Sequence, residues 1–172
     1  GMEGISIGAD NTSALAAGGA APSQTGVVEL WNGSSWTEVN DLNTARSGNA
    51  GIGTATAAIV AGGYPDRTIT ESWNGTNWTE VNDLNTGRDY LGGAGLQTAG
   101  IVFGGTDPSP EALTEDWNGV SWVEVADLNA ARNSIAGAGT ATNALAIGGQ
   151  SPVTGATEEW SGSSNTIKVL TD

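Results

Sequence analysis

The sequence contains no cysteine and no histidine. Without them the chain cannot form disulfides, thiolate or imidazole metal sites, or Ser-His and Cys-His nucleophilic pairs. Acid–base catalysis by histidine is excluded as well, so most common catalytic chemistry is ruled out. A chain without thiols suits either an oxidising or a reducing space, and localisation therefore stays unknown, with a virion or extracellular location among the alternatives.

Basic residues are scarce. The chain has 5 Lys and Arg against 19 Asp and Glu, which gives a formal net charge of -14. Such a field repels the phosphates of nucleic acids, so nucleic-acid binding is not expected. The sequence also lacks an apolar run of the ~18 residues that a membrane-spanning helix needs, so membrane insertion is not expected either.

The most regular feature of the sequence is a double glycine that occurs four times. Successive pairs are 44, 42 and 44 residues apart, and a tryptophan follows each pair. This spacing predicts one unit of about 43 residues repeated four times, in a single domain that covers residues 1–172. The pairs are Gly18-Gly19, Gly62-Gly63, Gly104-Gly105 and Gly148-Gly149, and the tryptophans are Trp31, Trp73, Trp117 and Trp160.

Each unit has the pattern of four short strands. In the second unit, 49–53 is small and apolar, and 57–61 is an apolar run that ends at the double glycine. Residues 68–73 and 78–81 alternate with period two around the turn signal Asn74-Gly75. The sequence therefore predicts an all-β protein made of four-stranded antiparallel sheets.

Four-stranded units with this period are typical of the blades of a β-propeller. We expect blades at approximately 4–40, 47–82, 90–126 and 133–171. Gly and Ala in the inner strands and Trp in the outer ones give a steep wedge, which favours few blades. A four-bladed monomer is therefore expected, and the alternative is half of an eight-bladed ring that two chains form.

Several of these features together resemble the kelch motif. They are the double glycine after an apolar strand, an aromatic in the third strand, a tryptophan in the fourth, and an arginine before a small-residue strand, as in Ala45-Arg-Ser-Gly-Asn-Ala50. The units are shorter than usual for kelch blades, and tryptophan replaces the customary tyrosine of the third strand. The near-copied segments WNGTNW and DLNTAR are also similar to kelch-like repeats of phage and environmental marine sequences. The resemblance implies a propeller, and the copper chemistry of one kelch-type oxidase is excluded because it needs histidine.

The seven tryptophans have two interpretations. Each can bury ~150–250 Å², and the chain contains few other aromatic residues. We therefore expect them to form the core between blades, although aromatic patches also bind sugars and peptides. They are Trp31, Trp36, Trp73, Trp78, Trp117, Trp122 and Trp160.

Charged residues repeat in two sets. Arg46, Arg88 and Arg132 precede the small-residue strands, and we expect each to bridge carboxylates at a blade junction. The alternative is a cluster that grips an anionic substrate, as in sialidase-type propellers. The fourth unit lacks both its arginine and the second of two repeated glutamates, which suggests that these two are partners. The first glutamates are Glu29, Glu71 and Glu115, and the second are Glu38, Glu80 and Glu124.

The relation between these glutamates depends on the hairpin turn. A four-residue turn between the tryptophans places the two glutamates of a unit opposite each other, whereas a two-residue Asn-Gly turn places glutamate opposite tryptophan. The linker aspartates Asp41, Asp83 and Asp127 are expected to accept hydrogen bonds from their own turn backbone. Calcium binding by these oxygens is the alternative, and neither a metal nor another cofactor is expected.

The loops between the second and third strands differ freely among the units. They are 20–26, 64–68, 106–112 and 150–155, and they should share one face of the molecule with the linkers. Because loops on a rigid scaffold often carry recognition, the candidate ligand-binding residues are Tyr64, Asp66, Arg67, Asp107 and Glu111. Solvated turns without a ligand are the alternative.

These patterns favour a non-catalytic binding or structural module that presents loops on a rigid propeller. We expect a component of a virion or a cell surface that recognises an unknown protein or a glycan. The alternative is a glycan-processing enzyme, because two carboxylates can suffice for glycoside hydrolysis. No carboxylate pair stands out from the repeated frame, so no catalytic residue is assigned.

Overall fold

The computed structural model describes residues 5–20, 22–151, 153–162 and 168–170. They form four separate four-stranded antiparallel sheets, each a meander in chain order. No helix within these residues could cross a membrane. Unit 1 comprises β1 (Ile5–Asp10), β2 (Ser13–Ala20), β3 (Gln24–Trp31) and β4 (Trp36–Val39); unit 2 comprises β5 (Ala50–Thr54), β6 (Ala57–Ala61), β7 (Thr70–Trp73) and β8 (Trp78–Glu80); unit 3 comprises β9 (Gly92–Leu96), β10 (Ala99–Phe103), β11 (Thr114–Trp117) and β12 (Trp122–Glu124); unit 4 comprises β13 (Ala136–Thr140), β14 (Asn143–Ile147), β15 (Thr157–Trp160) and β16 (Lys168–Leu170).

The outer hairpins use the four-residue turn. Trp73 pairs with Trp78 and Glu71 pairs with Glu80, and the two indole rings lie 5.1 Å apart between centroids. Units 1 and 3 have the same register. The tryptophans and glutamates of a unit therefore lie on one face of its sheet.

Each sheet has two different faces. One, which we call the tryptophan face, carries the paired tryptophans and the third-strand glutamate. The other, the aliphatic face, carries the large aliphatic residues of the inner strands, such as Ile52 and Ile59 in unit 2. In three hydrophobic clusters, the aliphatic face of one unit packs on the tryptophan face of the next, from unit 1 to unit 4. Five tryptophans lie buried in these junctions: Trp73, Trp78, Trp117, Trp122 and Trp160.

A fourth junction, between units 4 and 1, is not formed. Trp36 is 46% exposed, whereas Trp78 at the same position of unit 2 is 6% exposed. Ile147 on the aliphatic face of unit 4 is 39% exposed, whereas the equivalent Ala61 is fully buried. Inner strands of successive units pack on each other, but β13 does not pack on β1. The described residues therefore do not form the closed single-chain ring that the wedge shape suggested.

A linker with the pattern Asp-Leu-Asn-x-x-Arg fills each formed junction. Leu42, Leu84 and Leu128 are buried in the three clusters. The aspartate before each of these leucines was predicted to accept hydrogen bonds from its own turn backbone, and this prediction is wrong. Instead, Asp83 Oδ1 accepts a hydrogen bond of 3.2 Å from the Thr70 N–H in the third strand, and Asp41 and Asp127 do the same in their units. The short fourth strand leaves one N–H of the third strand without a backbone partner, and the sequence pattern did not reveal this donor.

The linker arginine binds the third-strand glutamate of the unit that follows it. Arg88 Nη2 lies 2.9 Å from Glu115 Oε1, Arg132 Nη1 lies 2.6 Å from Glu158 Oε1, and Arg46 pairs with Glu71. The second glutamates, Glu38, Glu80 and Glu124, are exposed. The partnership inferred from the joint loss of the arginine and the second glutamate is therefore wrong, because only the first glutamate faces the linker.

The linker asparagine completes this site. Glu115 Oε2 accepts hydrogen bonds from the Asn85 N–H at 2.8 Å and from its side-chain amide at 2.9 Å. Arg88 also donates to the carbonyls of Gly104 and Leu113. Each buried charge thus has several polar partners, as a buried ion pair requires.

The double glycine has a packing reason at these junctions. Gly62 has a φ of 67°, and a Cβ placed there would lie 2.6 Å from the Arg88 carbonyl oxygen of the next linker. Gly63 then donates its N–H to the same oxygen at 2.9 Å. Only glycine combines this left-handed conformation with so close an approach of the backbone.

Candidate binding face

The linkers and the loops between second and third strands meet at one end of the sheets, which we call the loop face. The Arg88 N–H donates to the Arg67 carbonyl at 2.9 Å, and Ser47 exchanges backbone hydrogen bonds with Tyr64. Asp89 pairs in the same way with Thr106 of unit 3. These hydrogen bonds fix the variable loops to the rigid linkers.

Three of the five candidate residues come together on this face. Arg67 Nη1 lies 3.0 Å from Asp107 Oδ1, and the Arg67 guanidinium carbon lies 5.8 Å from the centroid of the Tyr64 ring. Arg67 Nε also lies 3.1 Å from Asp89 Oδ2. Arg67 therefore connects a loop of unit 2 with the linker and the loop of unit 3.

The electrostatics of this cluster hold Arg67 charged. The hydrogen bond to Asp89 raises the pKa of Arg67, and the charges of Asp89 and Asp107 add to this effect. Asp89 itself is buried, and its Oδ1 has no hydrogen-bond partner among the described residues. The cluster thus presents one buried acceptor beside a half-buried cation.

Two exposed tyrosines border the cluster. Tyr64 is 47% exposed and Tyr90, which follows Asp89, is 48% exposed. Tyr90 adopts a φ of 55°, a conformation that favours glycine. Its N–H donates to the Gly48 carbonyl at 2.6 Å, and its carbonyl accepts from the Ser134 N–H at 2.7 Å. A bulky side chain that is about half exposed is therefore held in a strained conformation.

The other two candidates serve their own segments in this structure. Asp66 Oδ1 accepts hydrogen bonds from the N–H and the hydroxyl of Thr68, as a turn aspartate does. The Glu111 carbonyl accepts a hydrogen bond from the N–H of Arg132, in the linker that precedes unit 4. Neither side chain joins the Arg67 cluster.

Equivalent positions of the loop face carry different residues in each unit. The carbonyl that receives the linker arginine N–H belongs to Thr25, Arg67 or Glu111. The residue after the linker arginine is Ser47, Asp89 or Asn133, and the next one, always with positive φ, is Gly48, Tyr90 or Ser134. Backbone geometry is thus repeated while side-chain chemistry is not.

Asp89 and Tyr90 were missed by the sequence analysis, which took its candidates only from the loops between second and third strands. A signal was present in the sequence, because variation begins directly after each linker arginine, in Arg-Ser-Gly, Arg-Asp-Tyr and Arg-Asn-Ser. Where residues differ inside an otherwise repeated segment, the repeated structure does not require a particular side chain.

The three linker arginines do not form a substrate-gripping cluster. Arg46 and Arg88 are fully buried and Arg132 is nearly so, each in a different junction. Burial lowers the pKa of Arg46 and of Arg88, and the paired glutamate opposes this shift. Their geometry fits the bridging role and leaves no path to an anionic ligand.

Within the described part of the chain, no group of three or more acidic side chains is arranged to hold a metal ion. Comparison with protein-family models and with curated proteins gives no match. The function therefore has to be argued from the loop face and from the arrangement of the sheets.

Proposed function

We propose that this protein is a non-catalytic binding module, a kelch-like β-propeller in which the four sheets are blades and the loop face recognises a protein or a glycan. A virion or a cell surface is the setting that we propose for such a module. The observation that carries the proposal is the contrast between a frame copied in every unit and loop-face positions that differ in every unit.

Tyr90 supports a binding role most directly. A left-handed conformation costs a non-glycine residue roughly 1–2 kcal/mol, and Tyr90 adopts it while about half of the residue stays exposed. Strain of this kind concentrates at functional sites. The neighbouring Tyr64, Arg67 and Asp89 add an aromatic surface, hydrogen-bond donors and a buried acceptor, which is a combination suited to recognition of polar ligands.

A binding screen with three variants tests the proposal. We expect the wild-type protein to bind members of a glycan array or to retain a surface protein in an affinity screen. Tyr90→Gly should lose this binding while the protein unfolds at the same or a higher denaturant concentration, because glycine relieves the strain. Tyr64→Ala should also lose it.

Val120→Ala is the matched control, since Val120 is an exposed apolar residue in a hairpin turn at the other end of the strands. Binding that survives both tyrosine changes, or that Val120→Ala abolishes equally, would place recognition elsewhere. Wild-type protein that retains nothing in either screen would contradict the proposal.

A second candidate function, a carboxylate-based glycan-processing enzyme, has one observation in its favour. A groove of about 350 Å³ between units 3 and 4 is lined by Asp116, Glu124 and Trp160 among others. Burial raises the pKa of Asp116. A carboxyl group with a raised pKa is one of the two groups that glycosidases use, and Glu124 at the edge of the groove is the candidate for the second.

If the protein is such an enzyme, the wild type should hydrolyse glycans. Asp116→Asn and Glu124→Gln should each lose this activity. Glu80→Gln is the matched control, because Glu80 has the frame position of Glu124 in unit 2. Equal release of sugar by the wild type and the two groove variants would rule this candidate out.

A further inference from the structure

We propose that the open faces of units 1 and 4 form an interface between two copies of this chain, so that two chains close an eight-sheet ring. The inference rests on the propeller arrangement proposed above, and it does not depend on what the loop face binds. The partner at the open faces is thus a second copy of the same chain.

The two open faces are of the kinds that join at every formed junction. Unit 1 presents a tryptophan face with Trp31 and the 46% exposed Trp36. Unit 4 presents an aliphatic face with Ile147, and all of β13 is exposed. At the three junctions inside the chain, an aliphatic face covers the tryptophan face of the following unit. Unit 4 of one copy and unit 1 of another would repeat the same packing.

The open faces of units 1 and 4 do not cover each other within one chain. β1 and β13 line a common central cavity together with β5 and β9, yet β13 does not pack on β1 as β5 packs on β1 or β13 on β9. A head-to-tail interface of this kind closes when its rotation completes a circle. Two copies give eight sheets, which is within the range of known propellers.

One side chain makes the new junction weaker than the other three. Glu29 has the position of Glu71, Glu115 and Glu158, but it is only half-buried, and unit 4, residues 136–170, contains no arginine to pair with it. Covering Glu29 would therefore bury a carboxylate without an arginine, which is costly. The interface should then be reversible, and Glu29→Gln should tighten it by roughly tenfold. Salt should also favour association, because each chain carries a net charge of -14.

Disulfide trapping distinguishes the ways of covering these faces, and the chain has no cysteine to interfere. The Cβ position of Gly93 lies 3.2 Å from the Ala50 Cβ across the junction of units 2 and 3. The strand pairings make Ser6 equivalent to Gly93 and Ala136 equivalent to Ala50. A protein with Ser6→Cys and Ala136→Cys thus probes the fourth junction, and one with Ala50→Cys and Gly93→Cys is the positive control that must cross-link within one chain.

Under mild oxidation, the proposal predicts a disulfide-linked dimer for the Ser6→Cys, Ala136→Cys protein and a linked monomer for the control. Linked monomers in both proteins would show that a single chain closes the ring. No cross-link in the test protein, with a cross-linked control, would show that these faces do not meet. Either result overturns the proposal and leaves the loop-face proposal untouched.

The solution mass of the cysteine-free protein gives an independent test. Sedimentation should show a monomer–dimer equilibrium that Glu29→Gln and added salt shift towards the dimer. Ile147→Asp should abolish the dimer, and Val120→Asp, with an exposed apolar residue away from the interface, should leave it unchanged. A concentration-independent monomer for both the wild type and Glu29→Gln would contradict the proposal.

Discussion

Trp36 and Trp78 begin the fourth strand of two successive units and stack on equivalent tryptophans, yet one is 46% exposed and the other 6%. The sheets themselves do not account for this difference, since their registers are the same. What differs is the unit and linker that precede them: Trp78 donates from its indole N–H to the Asn40 carbonyl of the preceding linker at 3.1 Å. No unit is therefore complete alone, because its tryptophan face is covered by the unit before it.

The same comparison separates structural charges from exposed ones. Glu71 is fully buried with an arginine and the linker asparagine as partners, whereas Glu29 is half-buried and takes part in none of the ion pairs among the described residues. The effect of a substitution inside a formed junction can therefore be compared with the effect of a similar substitution outside the junction.

The largest expected effect comes from a linker arginine. Arg88→Met keeps most of the side-chain volume but leaves Glu115 buried without its countercharge, and we expect a loss of about 3–5 kcal/mol in the free energy of unfolding. Asp107→Asn, which removes the exposed ion pair between Arg67 and Asp107 on the loop face, should change it by about 1 kcal/mol or less. Urea unfolding of both variants checks this, and similar losses would mean that the linker arginine has no special role.

A smaller effect is expected from the first glycine of each pair. Gly62 and Gly148 have φ values of 67° and 65°, but a Cβ on Gly62 would lie 2.6 Å from the Arg88 carbonyl, whereas the nearest atom to a Cβ on Gly148 is at 3.5 Å. Gly148→Ala should cost roughly 1–2 kcal/mol for its backbone conformation alone. Gly62→Ala should cost more, because the linker must also move. Equal melting temperatures for the two variants would show that the linker does not press on this position.

A stabilising change of about 1–2 kcal/mol is expected at the first junction. Asn49 is buried at the position that Leu91 and Ile135 occupy in units 3 and 4, and neither polar atom of its side chain has a hydrogen-bond partner among the described residues. Asn49→Leu removes two unsatisfied groups and should raise the unfolding midpoint. The reverse change, Leu91→Asn, should lower it. A lower midpoint for Asn49→Leu would indicate that the amide has a role that packing does not explain.

Much of the fold follows from local pattern. Alternation around Asn74-Gly75 predicted the hairpin of β7 and β8, and the apolar run 57–61 coincides with β6. The division into four units was equally clear from the four double glycines, three of which mark the same contact, the close approach of the next linker at Gly18, Gly62 and Gly104.

Other features depend on information that no short segment contains. The pairing of Arg88 with Glu115 and not Glu124 depends on which strand of the outer hairpin the linker crosses, because the two glutamates lie opposite each other. Asn49 has a polar side chain, and its burial is known only once Gly18 and Gly63 are placed around it. Closure of the ring depends on the angles between sheets, which the sequence of one unit does not determine.

The most direct test of this account compares Trp78→Ala with Trp36→Ala at a protein concentration where sedimentation shows a single chain. Trp78→Ala should lower the free energy of unfolding by about 3–5 kcal/mol, because it empties a filled junction. Trp36→Ala should cost no more than about 1.5 kcal/mol, the worth of its stacking on Trp31. Equal losses for the two variants would contradict the account, since they would mean that the fourth junction is already filled within one chain.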